Sequence, residues 1–236
     1  MKMRAPESET NRAMFGRIAH KYDLINRIIS LGFDISWRRK MAEALQLTSN
    51  ARILDIATGT GDVALAILKC RPDAHVIGID VCEDMLELGR KKVALRGLSD
   101  RTELKHGNAE NLEFEDKSFD AATCAFGIRN VTDRARALGE LLRVVKPGGR
   151  VAIIEPSKPR SALFRRFFEF YFSKVVVLIG AAIADRSAYQ YLIDSVEGFP
   201  EPEDFCLELR KAGFNPVSYQ SLTGGMATLY IAQAPF

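Results

Sequence analysis

Ile53-Leu54-Asp55-Ile56-Ala57-Thr58-Gly59-Thr60-Gly61-Asp62 decides how this chain folds. An apolar run carrying an acid breaks into a Gly-x-Gly turn, and Val63-Ala64-Leu65-Ala66-Ile67-Leu68 follows with the character of a helix. This is how a parallel strand hands over to a helix whose first amides face a ligand. Glycine lets the backbone turn tightly and approach that ligand with no Cβ in the way. The passage predicts an α/β chain that binds a nucleoside-bearing cofactor, with Gly59, Thr60 and Gly61 in the binding turn.

The turn alone leaves the cofactor open. Read as Gly59-x-Gly61-x-x-Ala64 it also fits the dinucleotide fingerprint, whose last position accepts alanine. Asp55 points away from a dinucleotide. A carboxylate at the strand end suits a cationic amino-acid moiety and repels a pyrophosphate; the plain alternative is a solvated turn acid. His75-Val76-Ile77-Gly78-Ile79-Asp80 reads as a second strand ending in an acid, Asp80, where a ribose diol needs an acceptor. That acid serves NAD and S-adenosylmethionine equally.

Working outward, strands are expected near 52–57, 75–80, 102–107, 119–125 and 150–155, with helices at 62–70, 83–96 and 132–145 between them. Such alternation predicts βαβ units and a parallel sheet covered on both faces. The third helix starts at Thr132 or Asp133 and stops before Pro147-Gly148-Gly149. A helix near 203–212 and strands near 216–221 and 227–233, joined by Thr223-Gly224-Gly225, close the chain as an antiparallel pair. Residues 12–47 read as an aromatic, helical cap on the sheet. A parallel sheet finishing in an antiparallel hairpin is the class I S-adenosylmethionine-dependent methyltransferase pattern, a seven-stranded Rossmann-like α/β fold. Asp55, Asp80, Asn108 and Arg129 fall at or just past strand ends, where such sheets hold ligands.

With 236 residues, 47% hydrophobic and 27% charged, the chain is expected to form one domain with a sizeable core. Its boundaries are read as a helical cap over 1–48, a cofactor-binding core over 49–156, a helical insertion on the substrate side over 157–202, and a terminal helix and hairpin over 203–236. A net charge of +3 is too small to call for nucleic acid. Met1-Lys2-Met3-Arg4-Ala5-Pro6-Glu7 lacks the apolar core of a signal peptide. Cys70, Cys82, Cys124 and Cys206 show no CxxC pairing, and three histidines lie far apart, so no metal is expected. These features predict a cytoplasmic protein. The greasy stretch 164–184 has an uncharged run, 175–184, of only ten residues, against the roughly 20 a membrane span requires.

Taken in order, Tyr22-Asp23-Leu24-Ile25-Asn26, Trp37-Arg38-Arg39, Gly59-Thr60-Gly61-Asp62, Phe126-Gly127-Ile128-Arg129-Asn130-Val131 and Arg143-Val144-Val145-Lys146-Pro147-Gly148-Gly149-Arg150 carry a family likeness. Glu155-Pro156-Ser157-Lys158-Pro159, Tyr189-Gln190-Tyr191-Leu192 and Ala212-Gly213-Phe214 extend it. Over nearly its whole length the chain resembles the ubiquinone/menaquinone biosynthesis C-methyltransferases, which methylate a ring carbon of a polyprenylated quinol precursor. The resemblance implies S-adenosyl-L-methionine as cofactor. It implies contacts from Thr60 and Asp80, with Val81 beside it, from Asn108 and Ala109 flanking the adenine, and from Ala125, where the family often has serine. Tyr22 is carried over as a cofactor contact on a closing helix. The Glu-Phe-Ser-Lys-Pro pattern of the family reads Glu-Pro-Ser-Lys-Pro here, and the usual basic tail is replaced by Tyr230-Ile231-Ala232-Gln233-Ala234-Pro235-Phe236.

A ring carbon becomes nucleophilic once a neighbouring hydroxyl, with a model phenol pKa of ~10, loses its proton. Arg129 is expected to favour the phenolate, Asn130 to orient a ring oxygen and Asp23 to accept a proton; the plain alternative for Arg129 is a structural ion pair. The expected acceptor is a polyprenylated quinol, demethylmenaquinol or a 2-polyprenyl-6-methoxy-1,4-benzoquinol, with the naphthoquinol favoured because the N-terminal extension is short. Residues 163–184 read equally as helical core and as a wall for the prenyl tail or a bilayer contact peripheral to the inner membrane, flanked by Arg160, Arg165 and Arg166. Another lipid-like carbon acceptor, an NAD-dependent oxidoreductase and a non-catalytic binding subunit are the rival readings. Prenyl length and oligomeric state stay open, a homo-oligomer included.

Overall fold

A computed structural model of the chain describes residues 8–157, Pro159, Arg166 and 186–236; the sequence reading of 163–184 lies outside these, Arg166 apart. The cap is two helices, α1 (Ser8–Ile29) and α2 (Phe33–Ala44). They part at an elbow where Gly32 takes φ 78° and its amide donates to the Arg27 carbonyl at 2.7 Å. Then come β1 (Arg52–Ile56), α3 (Asp62–Cys70), β2 (His75–Asp80), α4 (Glu83–Leu95), β3 (Thr102–His106) and β4 (Phe119–Ala125). After a 3-10 turn (Ile128–Asn130) follow α5 (Arg134–Val144), β5 (Val145–Pro156), α6 (Arg186–Glu197), α7 (Pro202–Lys211), β6 (Val217–Leu222) and β7 (Ala227–Gln233).

The seven strands lie in the order β3-β2-β1-β4-β5-β7-β6. All pair in parallel except β7, which runs antiparallel to both β5 and β6. This is the expected class I methyltransferase sheet. Alternation along β1 feeds both faces: Ile53 packs with Trp37, Met41 and Ile67, whereas Leu54 and Ile56 pack with Phe119, Leu138 and Phe205. Trp37 anchors α2 to the far hairpin, its Nε1 donating to Thr223 Oγ1 at 2.8 Å. Asp133 caps α5 by accepting from the Arg136 amide at 3.0 Å. One boundary differs from expectation. Val145 already pairs with Phe119, and the register shifts before Arg150 pairs with Ala121, so Pro147-Gly148-Gly149 forms an irregularity inside β5 rather than a turn ahead of it.

The order reverses between β1 and β4, which are neighbours in space although β2 follows β1 in sequence. The carboxyl ends of β1, β2 and β4 therefore open onto one crevice, and α1 lies over it through its packing on α4.

Candidate active site

The crevice floor is built by short-range backbone constraints. Ala57, Gly59 and Gly61 all take positive φ, and Gly61 leads into α3. The turn is locked to β2 by Thr58 N donating to the Ile79 carbonyl at 3.0 Å and Gly59 N donating to Asp80 Oδ2 at 2.8 Å. On the opposite side Gly127 is obligatory, because a Cβ there would meet the Ala57 Cβ at 2.4 Å. That close approach brings the Phe126–Asn130 segment against the glycine turn.

Between them is a cavity of about 530 Å³, in the range of small-molecule sites. Of the residues expected at the site, Tyr22, Gly59, Asp80, Val81, Asn108, Ala109 and Asn130 line it. Asp80 also accepts from the Cys82 amide at 2.9 Å. Burial raises its pKa, opposed by the amides of Cys82, Gly59 and Val81. Three amides on its four lone-pair sites leave one to accept from a hydroxyl. Burial likewise raises the Tyr22 phenol, while a hydrogen bond with Asn26 and the charges of Arg129 and Arg38 pull the other way.

The other expected residues stand behind this wall. Asp55 is 0% exposed, and its two oxygens accept the hydroxyls of Thr58 at 2.6 Å and Thr123 at 2.7 Å. Burial pushes its pKa up to about 6 against those hydrogen bonds. Asp55 is thus no solvated turn acid, and it stands behind the cavity wall rather than on it. Thr60 and Asp23 belong to a polar latch. Thr60 Oγ1 donates to Asp23 Oδ1 at 2.6 Å, and Lys92 Nζ reaches Asp23 Oδ2 at 2.5 Å and Asp62 Oδ1 at 2.6 Å. The Asp23 carboxylate is therefore engaged on both oxygens, which holds α1 to the glycine turn and leaves it poorly placed to accept a substrate proton. Ala125 packs into the core around Ile154 and Leu229.

Arg129 is 5% exposed at its side chain and pairs with Glu155, 0% exposed, at 2.7 Å. It also donates to the Phe126 carbonyl at 2.6 Å and to Ser195 Oγ at 3.3 Å. Burial is the largest effect and works against its charge, but Glu155, Tyr22 and Tyr191 together outweigh it and the guanidinium pKa is raised. The ion-pair alternative describes this geometry better than a cation facing the cavity. Its neighbour Asn130 does face it, with Oδ1 accepting from Tyr191 of α6 at 2.7 Å.

Several wall residues were not singled out from the sequence. Phe15 of α1 stacks edge-on with Tyr22 and Tyr191 at 6.0 and 6.2 Å, Cys82, Met85 and Phe126 extend the apolar surface, and His106 also lines the cavity. Phe126 carried a signal, since it opens the Phe-Gly-Ile-Arg-Asn motif. From the sequence Cys82 reads as a packing residue and His106 as too isolated for a metal cluster, so neither is marked as cavity wall. The arrangement fits a nucleoside with a cationic amino-acid tail. Asp80 has acceptor capacity for a hydroxyl, Val81, Met85 and Ala109 offer an apolar slot, open space adjoins Gly59, and the charge of Arg38 only partly offsets the burial of Asp55.

Residues 3–234 match the model of the ubiE/COQ5 methyltransferase family. The chain is 47% identical over 226 residues to the ubiquinone/menaquinone biosynthesis C-methyltransferase UbiE of Geobacter sp., covering 95% of this chain and 96% of that protein. To the demethylmenaquinone methyltransferase of Thermus thermophilus it is 42% identical over 223 residues, covering 94% and 100%. Among solved structures, a SAM-dependent methyltransferase of Thermotoga maritima superposes with a TM-score of 0.64 at 23% identity, covering 94% and 98%; that likeness establishes the fold alone.

Proposed function

The chain belongs to the ubiE/COQ5 methyltransferase family and is an S-adenosylmethionine-dependent methyltransferase, and from that premise we propose that it methylates a ring carbon of a polyprenylated quinol, demethylmenaquinol first among them. The observation that carries the reading is a single crevice with the acceptor Asp80 on one wall and the Tyr22–Asn130 surface on the other, and with Asp55 buried and under-compensated behind it. Bound there, S-adenosylmethionine supplies a methyl group already activated on a sulfonium. The protein then has to align the acceptor and exclude water. Asn130 presents its amide to a ring oxygen, with its own Oδ1 held by Tyr191. Arg129 fixes the Phe126–Asn130 turn through the Phe126 carbonyl and lends positive charge close to Tyr22. Asp23 acts as a latch that keeps α1 on the glycine turn.

The test is transfer of labelled methyl from S-adenosylmethionine to reduced demethylmenaquinol and to the corresponding demethylated benzoquinol in detergent, with products identified by mass. Label on the naphthoquinol ring is expected. Cofactor binding without label on either ring would overturn the acceptor class.

A lipid acceptor also implies a membrane contact. Leu24, Ile28, Leu31, Phe33 and Ile35 are all exposed, Leu24 at 62% and Ile35 at 58%, and they crowd the elbow between α1 and α2. Lys21, Arg39 and Lys40 are exposed beside them. Apolar side chains ringed by cations suit an anionic headgroup surface. No helix among the described residues is long and apolar enough to cross a membrane, and the contact proposed is a peripheral one. The protein should float with anionic vesicles and stay behind with zwitterionic ones, and Leu24→Asp with Phe33→Asp should abolish flotation without lowering the melting temperature. Undiminished flotation of the double variant would move the contact elsewhere.

A further inference from the structure

An asparagine amide has a donor end and an acceptor end, and the one it shows to a ligand is set by the partners of the other. Asn130 lines the cavity. Its Oδ1 accepts from the Tyr191 hydroxyl at 2.7 Å, and its Nδ2 points at the Phe126 carbonyl, 3.5 Å away. A carbonyl oxygen can only accept, so the Phe126 side has to take the nitrogen. Tyr191 then meets the amide oxygen and donates to it. The distances rank the two contacts. The tyrosine holds the amide firmly, whereas the carbonyl sits at the outer limit of a hydrogen bond and already accepts from Arg129 at 2.6 Å. What the amide has left to offer the cavity is N–H.

Two elements place Tyr191 for this. On α6 it lies one turn ahead of Ser195, whose Oγ accepts from Arg129 Nε at 3.3 Å, so one face of the helix grips both members of the Arg129-Asn130 pair. From α1, Phe15 meets the Tyr191 ring edge-on at 6.2 Å. Removing the hydroxyl alone leaves that ring contact in place. Tyr191 stands behind Asn130 rather than on the cavity wall.

We propose that Tyr191 is the positioning residue that makes Asn130 a hydrogen-bond donor, and that the site thereby selects the acceptor as its phenolate, the proton being left in solution. The proposal rests on the quinol reading above. A phenolate oxygen only accepts, and N–H groups bonded to it favour the charged form. Without the tyrosine hydroxyl the amide can turn over and present Oδ1, which suits a neutral hydroxyl and opposes a phenolate. Other titrating groups face the same space: Tyr22 of α1, Asp80 and Cys82 at the end of β2, His106 of β3 and Glu110. The Arg129–Glu155 pair adjoins Asn130. All are common to wild type and a Tyr191 variant, and they cancel in the difference between the two.

The test is the ionisation of a prenylated 1-naphthol, followed by absorbance in its ternary complex with S-adenosylhomocysteine, together with turnover of demethylmenaquinol. Tyr191→Phe should raise the midpoint of the bound naphthol by about one pH unit and cut turnover at neutral pH by about tenfold, the effect of one hydrogen bond to a charged oxygen. Its affinity for S-adenosylhomocysteine should stay within about threefold of wild type, which certifies the fold. Asn130→Leu should raise the midpoint at least as far. Tyr191→Phe added to Asn130→Leu should move it no further, since the tyrosine acts through the amide. Lost turnover with an unmoved midpoint, or a further shift in the Asn130→Leu background, overturns the positioning role. If Tyr191→Phe fails the affinity check, Asn130→Leu decides alone, and an unmoved midpoint there again overturns the proposal. Wild-type protein that neither binds the naphthol nor labels either quinol ring would instead overturn the acceptor class.

Discussion

Arg129→Ala is expected to lower the melting temperature by roughly 10 °C and turnover by about 100-fold. The stability loss follows from Glu155, which is 0% exposed and takes its ion pair from Arg129 at 2.7 Å. Removing one partner of a buried pair strands the other charge, at a cost of about 3–5 kcal/mol. Burial already raises the Glu155 pKa while Arg129 holds it down, so in the variant Glu155 should take up a proton. Replacing both partners, as Arg129→Met with Glu155→Leu, removes the stranded charge and should restore most of the melting temperature. Turnover should stay low in that double variant. The Phe126 carbonyl and Ser195 hydroxyl would still lack the donor that now fixes the wall turn. Thermal melts beside single-turnover methyl transfer separate the two effects. A double variant that regains both stability and turnover would reduce Arg129 to scaffolding. Full turnover in Arg129→Lys with unchanged cofactor binding would do the same.

The fold was legible because its signals are local. Strand ends at Asp55 and Asp80 and the stop at Gly213 depend on residues adjacent in sequence, and the hairpin around Thr223-Gly224-Gly225 likewise declares itself. The cavity wall was legible where a motif sits on a strand end, as for Asp80 and Asn108. What stayed hidden depends on partners distant in sequence. Nothing near Arg129 announces that Glu155 will neutralise it, because their juxtaposition is made by β4 and β5 lying side by side. Asp23 reads as a free carboxylate until α1 packs on α4 and meets Lys92, 69 positions away. Tyr191 sits in a motif visible in the sequence, but its partner Asn130 is supplied by another element. The Lys-Pro-Gly-Gly irregularity was misplaced for a similar reason, since only pairing with Phe119 starts β5 at Val145.

Asp55→Asn should make the ligand-free protein more stable while weakening its hold on the cofactor. Burial moves the carboxyl from 3.8 to about 6 despite two hydroxyl donors. The folded state therefore binds this proton more tightly than the unfolded chain does, so the group's contribution is full below about pH 4, drains as pH rises to about 6, and stays lost above it. A displacement of that size corresponds to roughly 3 kcal/mol at neutral pH. Asparagine carries no charge to bury, so the variant should melt several degrees higher at pH 8 and show less loss between pH 4 and 6. Cofactor binding runs in the opposite sense. The cationic tail needs the ionised carboxylate, so wild-type affinity should fall as pH drops through about 6, by up to about tenfold per pH unit. Other titrating groups at the wall are common to both proteins and cancel in the ratio of their affinities, which should approach one at low pH and widen above it. Calorimetry with S-adenosylhomocysteine from pH 5 to 8 measures that ratio. An affinity ratio flat across the range would show that Asp55 serves the turn through Thr58 and Thr123 alone. If the widening is found, the cost of burying an unneutralised carboxylate in the free protein is recovered when the cation binds, and the site holds part of its affinity as strain in the empty state.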